Sequence, residues 1–209
     1  MILVLDNEVQ PDYRFLGPEI DRLLPDSEYV VAAGDKEPPE PDAYDGIVLS
    51  GSTASVYEIE HQSWLEPQYD LIERCIDKQI PLLGICFGHQ QVNYALGGQV
   101  EEDCRRSRFI EMEQTNSDEI LTDVEPIVPV LHSDLVTELG SGMEATAKAS
   151  YNEFFCSTHH DAPLWTVQFH PEFTTRVSDR PSDWNPDEYT FADSNATLVL
   201  ENFANYCKS

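Results

Sequence analysis

The most informative stretch of the chain reads Pro81-Leu82-Leu83-Gly84-Ile85-Cys86-Phe87-Gly88-His89-Gln90-Gln91. An apolar, strand-like segment passes directly into a helical pattern, and two glycines frame Cys86 in the G-x-C-x-G spacing of a nucleophile elbow. Glycine suits such a sharp turn because neighbouring chains can approach its backbone closely. The pattern predicts a buried strand, a tight turn and a helix, with the sulfur of Cys86 exposed at the top of the sheet.

Cys86 is the candidate nucleophile. The first turn of the following helix would point N–H groups and the positive end of the helix dipole towards its sulfur, which favours the thiolate. A lone cysteine at a strand end is more often a small core residue. The two glycines and the strand-to-helix context favour the nucleophile over that interpretation.

Strand-like runs alternate with helical patterns in the first half of the chain. The apolar runs are 2–5, 29–33, 46–49 and 81–85, with one helical face between Phe15 and Leu24 and a second helix expected to start near Pro67. This alternation is typical of a parallel sheet covered on both faces. We expect one α/β domain over residues 1–209, without internal repeats.

The second half has a different pattern. Shorter strand-like pieces at 99–114, 127–131, 143–156 and 163–169 indicate a mixed or antiparallel extension of the sheet. A last helix is expected over 194–207, capped by Ser194. Residues 178–188 contain two prolines and four acids and predict a loop.

A second motif, Thr166-Val167-Gln168-Phe169-His170-Pro171-Glu172, offers a base for the thiolate. On an extended segment residues two apart point to the same side, so His170 and Glu172 can face one site. His170 would move protons near neutral pH while Glu172 fixes its tautomer. An isolated His-x-Glu pair is usually ordinary surface or core, so the hypothesis depends on the elbow as well.

Together, G-I-C-F-G-H-Q and Q-F-H-P-E resemble the paired signature of class I glutamine amidotransferases, which have a flavodoxin-like α/β sandwich. The resemblance implies that Cys86 attacks the side-chain carbonyl of glutamine and expels ammonia. His170 would then activate water against the glutamyl thioester. It also implies that Gln90 contacts the bound substrate.

Two further segments fit this resemblance less closely. Residues 49–57 should supply the oxyanion hole through Gly51 and the N–H group of Ser52, together with the N–H group of Phe87 from the elbow, but Ser52-Thr53 replaces the family's usual Gly-Pro. The loop geometry stays open, because glycine can adopt backbone angles that serine disfavours. His132-Ser133-Asp134 is similar to the H-G-D segment of GMP-synthase-type members, which implies that Ser133 and Asp134 bind glutamine; alone, it would be an ordinary turn.

Charge excludes some functions and suggests an environment. The chain has 39 acidic and 12 basic residues, a net charge of -27. Nucleic acid is not an expected partner, since phosphate binding needs basic patches. Self-repulsion of this size destabilises a compact state at low salt, so we expect a salt-rich cytoplasm, as in halophilic microbes; the alternative is a merely acidic mesophilic protein.

Other features of the sequence concern location, redox state and metal binding. The short apolar start without a basic region predicts neither a signal peptide nor a membrane span, and hence a cytoplasmic protein. Five cysteines without a C-x-x-C pair indicate reduced thiols. We expect no cofactor and no metal, because nucleotide motifs are missing and His159-His160, pointing apart on a strand, lack zinc spacing. A basic cluster, Arg105, Arg106 and Arg108, should pair with the acids at 101–103.

Three functional classes remain open. The first is a glutaminase that feeds ammonia to a separate ATP-dependent synthetase, with GMP synthase the nearest resemblance. The second is a stand-alone hydrolase of γ-glutamyl amides. The third is a non-catalytic relative in which the Ser52-Thr53 change has dismantled the oxyanion hole.

The charge leads to the first testable prediction. Thermal melting measured from about 0.1 to 3 M KCl should rise steeply as the Debye length falls from about 10 Å to below about 3 Å, because screening relieves the repulsion among acids. A flat melting temperature across this range would contradict the salt-rich environment.

Overall fold

A computed structural model describes residues 1–34 and 37–208, which fold around one nine-stranded sheet. The strands are β1 (Ile2–Asp6), β2 (Ser27–Val31), β3 (Gly46–Leu49), β4 (Leu82–Ile85), β5 (Gln99–Gln114), β6 (Ile127–Glu138), β7 (Met143–Ala149), β8 (Asn152–His159) and β9 (Leu164–Val167). The helices are α1 (Leu16–Leu23), α2 (Gln62–Lys78), α3 (Phe87–Ala95) and α4 (Leu198–Tyr206).

The sheet combines a parallel and an antiparallel half. Strands pair in the order β2-β1-β3-β4-β9-β8-β7-β5-β6. The first five are parallel, and every pairing from β9-β8 onwards is antiparallel. This confirms the predicted parallel sheet with a mixed extension. It also gathers the carboxyl ends of β1, β3, β4 and β9 at one edge, where open α/β sheets bind ligands.

Helices cover the parallel half on both faces. Alternate residues of β1 belong to different cores: Ile2 and Val4 pack with α1 and α4, while Leu3 and Leu5 pack with α2 and α3. The near-continuous apolar character of these strands follows from burial on both sides. The result is the expected three-layer, flavodoxin-like sandwich. None of the helices in the two described ranges is long and apolar enough to cross a membrane.

Two helix starts differ from the predictions. Helix α2 begins at Gln62, so Pro67 lies inside the helix rather than at its start. The earlier turn is held by packing, because Trp64 and Leu65 are buried and the Trp64 ring stacks on Phe87 with centroids 6.0 Å apart. Helix α4 begins at Leu198, with Thr197 rather than Ser194 at its N-cap position.

The antiparallel half is more regular than predicted. The strand expected at 127–131 continues to Glu138, and the piece expected at 143–156 is a hairpin of β7 and β8 with a turn at residues 150–151. That turn is Ser150-Tyr151 and lacks the glycine or proline that marks hairpins in a sequence. The predicted loop at 178–188 is confirmed: no helix or strand occurs there in the described chain.

Candidate active site

Cys86 occupies the sharp turn between β4 and α3. Its backbone has φ 53° and ψ −101°, a conformation that L residues rarely adopt. There is no room for side chains beside it: a Cβ on Gly84 would lie 2.6 Å from the carbonyl oxygen of Gly88, and one on Gly88 would meet that of Leu49. The predicted elbow is therefore present, and it needs both glycines.

The sulfur is less exposed than predicted. Cys86 lines the cleft at the carboxyl edge of the sheet, but only 4% of its surface is accessible. Strand β9 lies directly beside β4, with Val167 opposite Ile85, so the segment after β9 covers the elbow. The N–H of Cys86 donates to Val167 O at 2.8 Å. The candidate nucleophile thus lies at the floor of the cleft.

His170 and Glu172 come together as predicted, but a turn at residues 170–173 places them instead of the expected extended segment, because the Phe173 N–H donates to the His170 carbonyl oxygen at 3.1 Å. The Nδ1 of His170 lies 2.7 Å from Glu172 Oε1, and the two side chains are 2% and 0% exposed. Its Nε2 has no hydrogen-bond partner in the described part of the chain. Burial alone would lower the pKa of His170, but interactions with Cys86 and the Glu172 carboxylate raise it above its ordinary value. The site therefore favours an imidazolium.

Gln168 is a site residue that the sequence reasoning did not assign. Its Nε2 donates to the sulfur of Cys86 at 3.6 Å, and its Oε1 accepts from Gln90 Nε2 at 3.3 Å. The side chain is fully buried. The sequence offered one signal, because Gln168 directly follows the buried run that ends at Val167 and precedes His170 by two residues.

Strand β6 forms another wall of the cleft. Gln90 Nε2 donates to the carbonyl oxygen of Asp134 at 3.0 Å, and Asp134 Oδ2 accepts from Ser55 Oγ at 2.6 Å. Ser133 and His132 also line the cleft. These residues lie within the strand rather than in a turn. Gln90, Ser133 and Asp134 are thus brought to the same cavity as Cys86.

The segment 50–55, called the cleft loop below, follows β3. A Cβ on Gly51 would lie 2.9 Å from His170 Cε1, so glycine is needed for the close approach. Neither Ser52 nor Thr53 has a positive φ; among the residues that the structure describes, the non-glycine ones with a positive φ are Gln79, Cys86, Asp123 and Asp187. The backbone at Ser52 is therefore not strained, which answers the question that the replacement of glycine raised. Within the described ranges, no hydrogen bond uses the N–H of Ser52 or Phe87.

The cleft has a volume of about 780 Å³ and extends well beyond Cys86. Its outer wall includes Tyr13, Phe15 and the loop residues 181–183. Among the described residues that line it, Arg105 is the one arginine or lysine. Arg105 pairs with Asp183 at 2.9 Å and Arg108 with Asp187 at 3.9 Å. Two of the three clustered arginines therefore pair with the distant acidic loop, and only Arg106 pairs within 101–103, with Asp103 at 2.8 Å.

The histidine pair at the end of β8 also differs from expectation. The rings of His159 and His160 stack with centroids 5.1 Å apart instead of pointing to opposite sides. His160 lies beyond the last strand residue, so the alternation of a strand no longer applies to it. Over the described ranges, no group of three or more His, Cys, Asp or Glu side chains is arranged to hold a metal.

Comparison with known proteins identifies similar chains. The family model "glutamine amidotransferase class-I" matches residues 27–181. One of the subunits of the glutamine-hydrolysing GMP synthase from Methanothermobacter thermautotrophicus is 30% identical over 169 residues, 79% of this chain and 76% of that protein. A glutamine-hydrolysing GMP synthase from Staphylococcus aureus is 32% identical over 160 residues, 69% of this chain but only 30% of that protein.

Solved structures agree on the fold. The crystal structure of a glutamine amidotransferase from Thermotoga maritima matches with a TM-score of 0.72 at 22% identity, covering 100% of this chain and 92% of that one. At this identity the likeness establishes the fold alone.

The site geometry predicts selective alkylation of Cys86. Burial raises the pKa of the Cys75 thiol to about 12 and that of Cys156 well above its ordinary value, so both should be inert near pH 7. Cys86 instead lines the open cleft beside His170, where a reagent can reach its sulfur. Iodoacetamide labelling of a Cys104→Ser variant, which removes the exposed cysteine, should give its main adduct on Cys86 by mass spectrometry. Equal labelling of Cys75 or Cys156 would contradict the assignment.

Proposed function

The chain belongs to the class I glutamine amidotransferase family, and on that premise we propose that it hydrolyses the side-chain amide of L-glutamine through Cys86, His170 and Glu172. The observation that carries the proposal is the buried His170, whose Nδ1 binds Glu172 at 2.7 Å while its Nε2, beside the cysteine elbow, has no hydrogen-bond partner among the described residues. An unpartnered buried nitrogen is costly unless it serves the chemistry.

The proposed reaction has two halves. The sulfur of Cys86 attacks the side-chain carbonyl carbon, the C–N bond breaks, and His170 gives its Nε2 proton to the leaving ammonia. A glutamyl thioester remains on Cys86. His170 then takes a proton from water, the hydroxyl adds to the thioester carbon, and the C–S bond breaks to release glutamate. Glu172 keeps the Nδ1 proton in place throughout.

The oxyanion of each tetrahedral intermediate needs two donors. We assign these to the main-chain N–H groups of Ser52 and Phe87, which are not used by other described residues. A serine side chain does not remove a main-chain donor. The unstrained backbone at Ser52 therefore favours a working enzyme over the non-catalytic alternative.

Substrate binding is assigned to Gln90, Ser133 and Asp134. All three line the cleft that contains Cys86, and the contact from Gln90 to the Asp134 carbonyl ties α3 to β6 across it. We further propose that the ammonia is used by a separate, ATP-dependent synthetase. The similarity to the Methanothermobacter thermautotrophicus GMP synthase chain supports this assignment.

A second candidate follows from the size of the cleft. A cavity of about 780 Å³ that continues to Tyr13 and Phe15 has room for a substituent on the amide nitrogen. A γ-glutamyl amide hydrolase would use the same residues. Glutamate release from glutamine and from γ-glutamyl amines, measured side by side, separates the two functions.

Replacing the carboxylate that holds His170 tests the proposed triad. Glu172→Gln should lower kcat for glutamine hydrolysis by about 10²–10⁴-fold, because the tautomer and the imidazolium lose their support. The Glu172 carboxylate is one of the groups that raise the pKa of His170. Its loss lowers that pKa, so the basic limb of the pH–rate profile should move to lower pH.

The matched control is Glu201→Gln on α4. Glu201 is exposed, and this substitution removes the same charge as Glu172→Gln. Its activity should equal that of the unchanged protein. An active Glu172→Gln variant with an unshifted profile would contradict the triad, and an unchanged protein without glutaminase activity would contradict the proposed function.

Coupling to the synthetase gives a further prediction. Free ammonia is lost by protonation and diffusion, so the isolated chain should hydrolyse glutamine slowly, and its synthetase with bound substrates should raise kcat. Alignment of an oxyanion donor acts only in the transition state and therefore changes kcat rather than KM. An effect confined to KM would instead indicate uniform binding of glutamine in ground and transition states.

A further inference from the structure

Glu8 is a buried carboxylate at the rim of the cleft, directly after β1. It is 6% exposed, and three donors reach its two oxygens. Oε2 accepts from the Thr53 N–H at 2.9 Å, while Oε1 accepts from the Thr53 hydroxyl at 2.6 Å and the Gln10 N–H at 2.8 Å. Arg14 donates to the Glu8 carbonyl at 2.7 Å and not to the carboxylate.

The contacts of Glu8 fix one particular peptide unit. The N–H of Thr53 belongs to the peptide that links Ser52 to Thr53. On the other side of Ser52, Gly51 is packed against His170 so closely that a Cβ would lie 2.9 Å from the ring. Ser52 is thus held from both sides, by packing at Gly51 and by hydrogen bonds at Thr53.

Glu8 has charges of both signs around it. Asp6 and Glu58 line the same cleft, while the Arg14 guanidinium lies against the Glu8 carbonyl and 3.9 Å from Asp6. Like charges that share a partly buried site repel one another. Three short hydrogen bonds to the ionised carboxylate offset that repulsion. A neutral apolar residue here would avoid that repulsion but would remove both hydrogen bonds that hold Thr53.

We propose that Glu8 is a positioning residue that clamps the cleft loop through Thr53 and so aims the Ser52 N–H at the reacting carbonyl oxygen. This inference rests on the proposed function, because it gives the clamp its catalytic purpose. Glu8 touches neither the reacting atoms nor the nucleophile. It acts through the orientation of a main-chain donor.

The clamp should influence catalysis more than stability. Thr53 and Gln10 are exposed, so water can satisfy their freed donors when Glu8 is changed. The free energy of unfolding should therefore change little. An oxyanion donor must, however, be aligned before the reaction, and complete loss of one costs about 10²–10³ in kcat. Loss of alignment alone should cost a smaller part of that factor.

The test compares Glu8→Gln with Glu201→Gln, which removes the same charge from an exposed position on α4 outside the cleft lining. Glu8→Gln places an amide NH₂ against at least one of the donors, so the clamp opens. We expect kcat for glutamine to fall by about tenfold with KM unchanged within about twofold. Glu201→Gln should keep the kcat of the unchanged protein. The Glu8→Gln loss should persist in 1 M KCl, where a mere charge effect is screened.

Two readouts separate a positioning role from general damage. Amide hydrogen exchange of a peptide covering residues 50–57 should become faster in Glu8→Gln and stay unchanged in Glu201→Gln. Alkylation of Cys86 by iodoacetamide forms no oxyanion, so its rate should not change in either variant.

The outcomes are distinct. Unchanged exchange in Glu8→Gln would overturn the clamp, and faster exchange with unchanged kcat would overturn its link to catalysis. A parallel fall in the alkylation rate would indicate a disturbed nucleophile instead. If the unchanged protein does not hydrolyse glutamine, the proposed function fails, while hydrogen exchange still decides whether Glu8 holds the loop.

Discussion

The backbone at Cys86 is the constraint on which the site depends. A positive φ at a non-glycine residue costs of order 1–3 kcal/mol and persists only where the surroundings enforce it. Here they do: Gly84 is pressed against the first turn of α3, and Gly88 against the end of β3. Helix α3 can start directly at the strand end only because both flanking positions lack a side chain. The same contacts hold β3, and with it the cleft loop, beside the sulfur.

Sheet order supplies the other half of the site. Strand β9 pairs with β4 although 78 residues separate Ile85 from Leu164 along the chain, and Val167 lies opposite Ile85. The segment after β9 must therefore pass over the elbow. It leaves the strand at Val167 and turns at residues 170–173, where the Phe173 N–H donates to the His170 carbonyl oxygen at 3.1 Å, and this turn brings Glu172 back against His170. Burial of this segment in turn requires the paired contacts that Gln90 and Glu172 provide.

Features that depend on neighbouring residues could be predicted from the sequence, whereas features that depend on contacts between distant residues could not. The elbow, the four parallel strands and the pairing of His170 with Glu172 depend on short spacings, and these predictions agree with the structure. The predicted start of α2 was wrong, because the packing of the buried Trp64 on Phe87 outweighs the preference of Pro67 for the first turn of a helix. The partners of Arg105 and Arg108 lie about 80 residues away, a distance that no spacing argument reaches. The hydrogen bonds from Thr53 to Glu8 could not be predicted either, because 45 residues separate the two along the chain.

The acidic loop that walls the cleft shows how a highly charged chain can keep a site in place. Its ion pairs to Arg105 and Arg108 are exposed, and such pairs contribute little and weaken with salt. Its aromatic contacts behave differently. Trp184 packs edge-on against Phe173 and Phe109, with ring centroids 4.6 and 5.1 Å apart. Aromatic pairs of this kind contribute about 0.5–1.5 kcal/mol each beyond area burial and do not depend on charge. Since salt screens the ion pairs and the repulsion among the loop's acids alike, the aromatic contacts hold this wall of the cleft at high ionic strength.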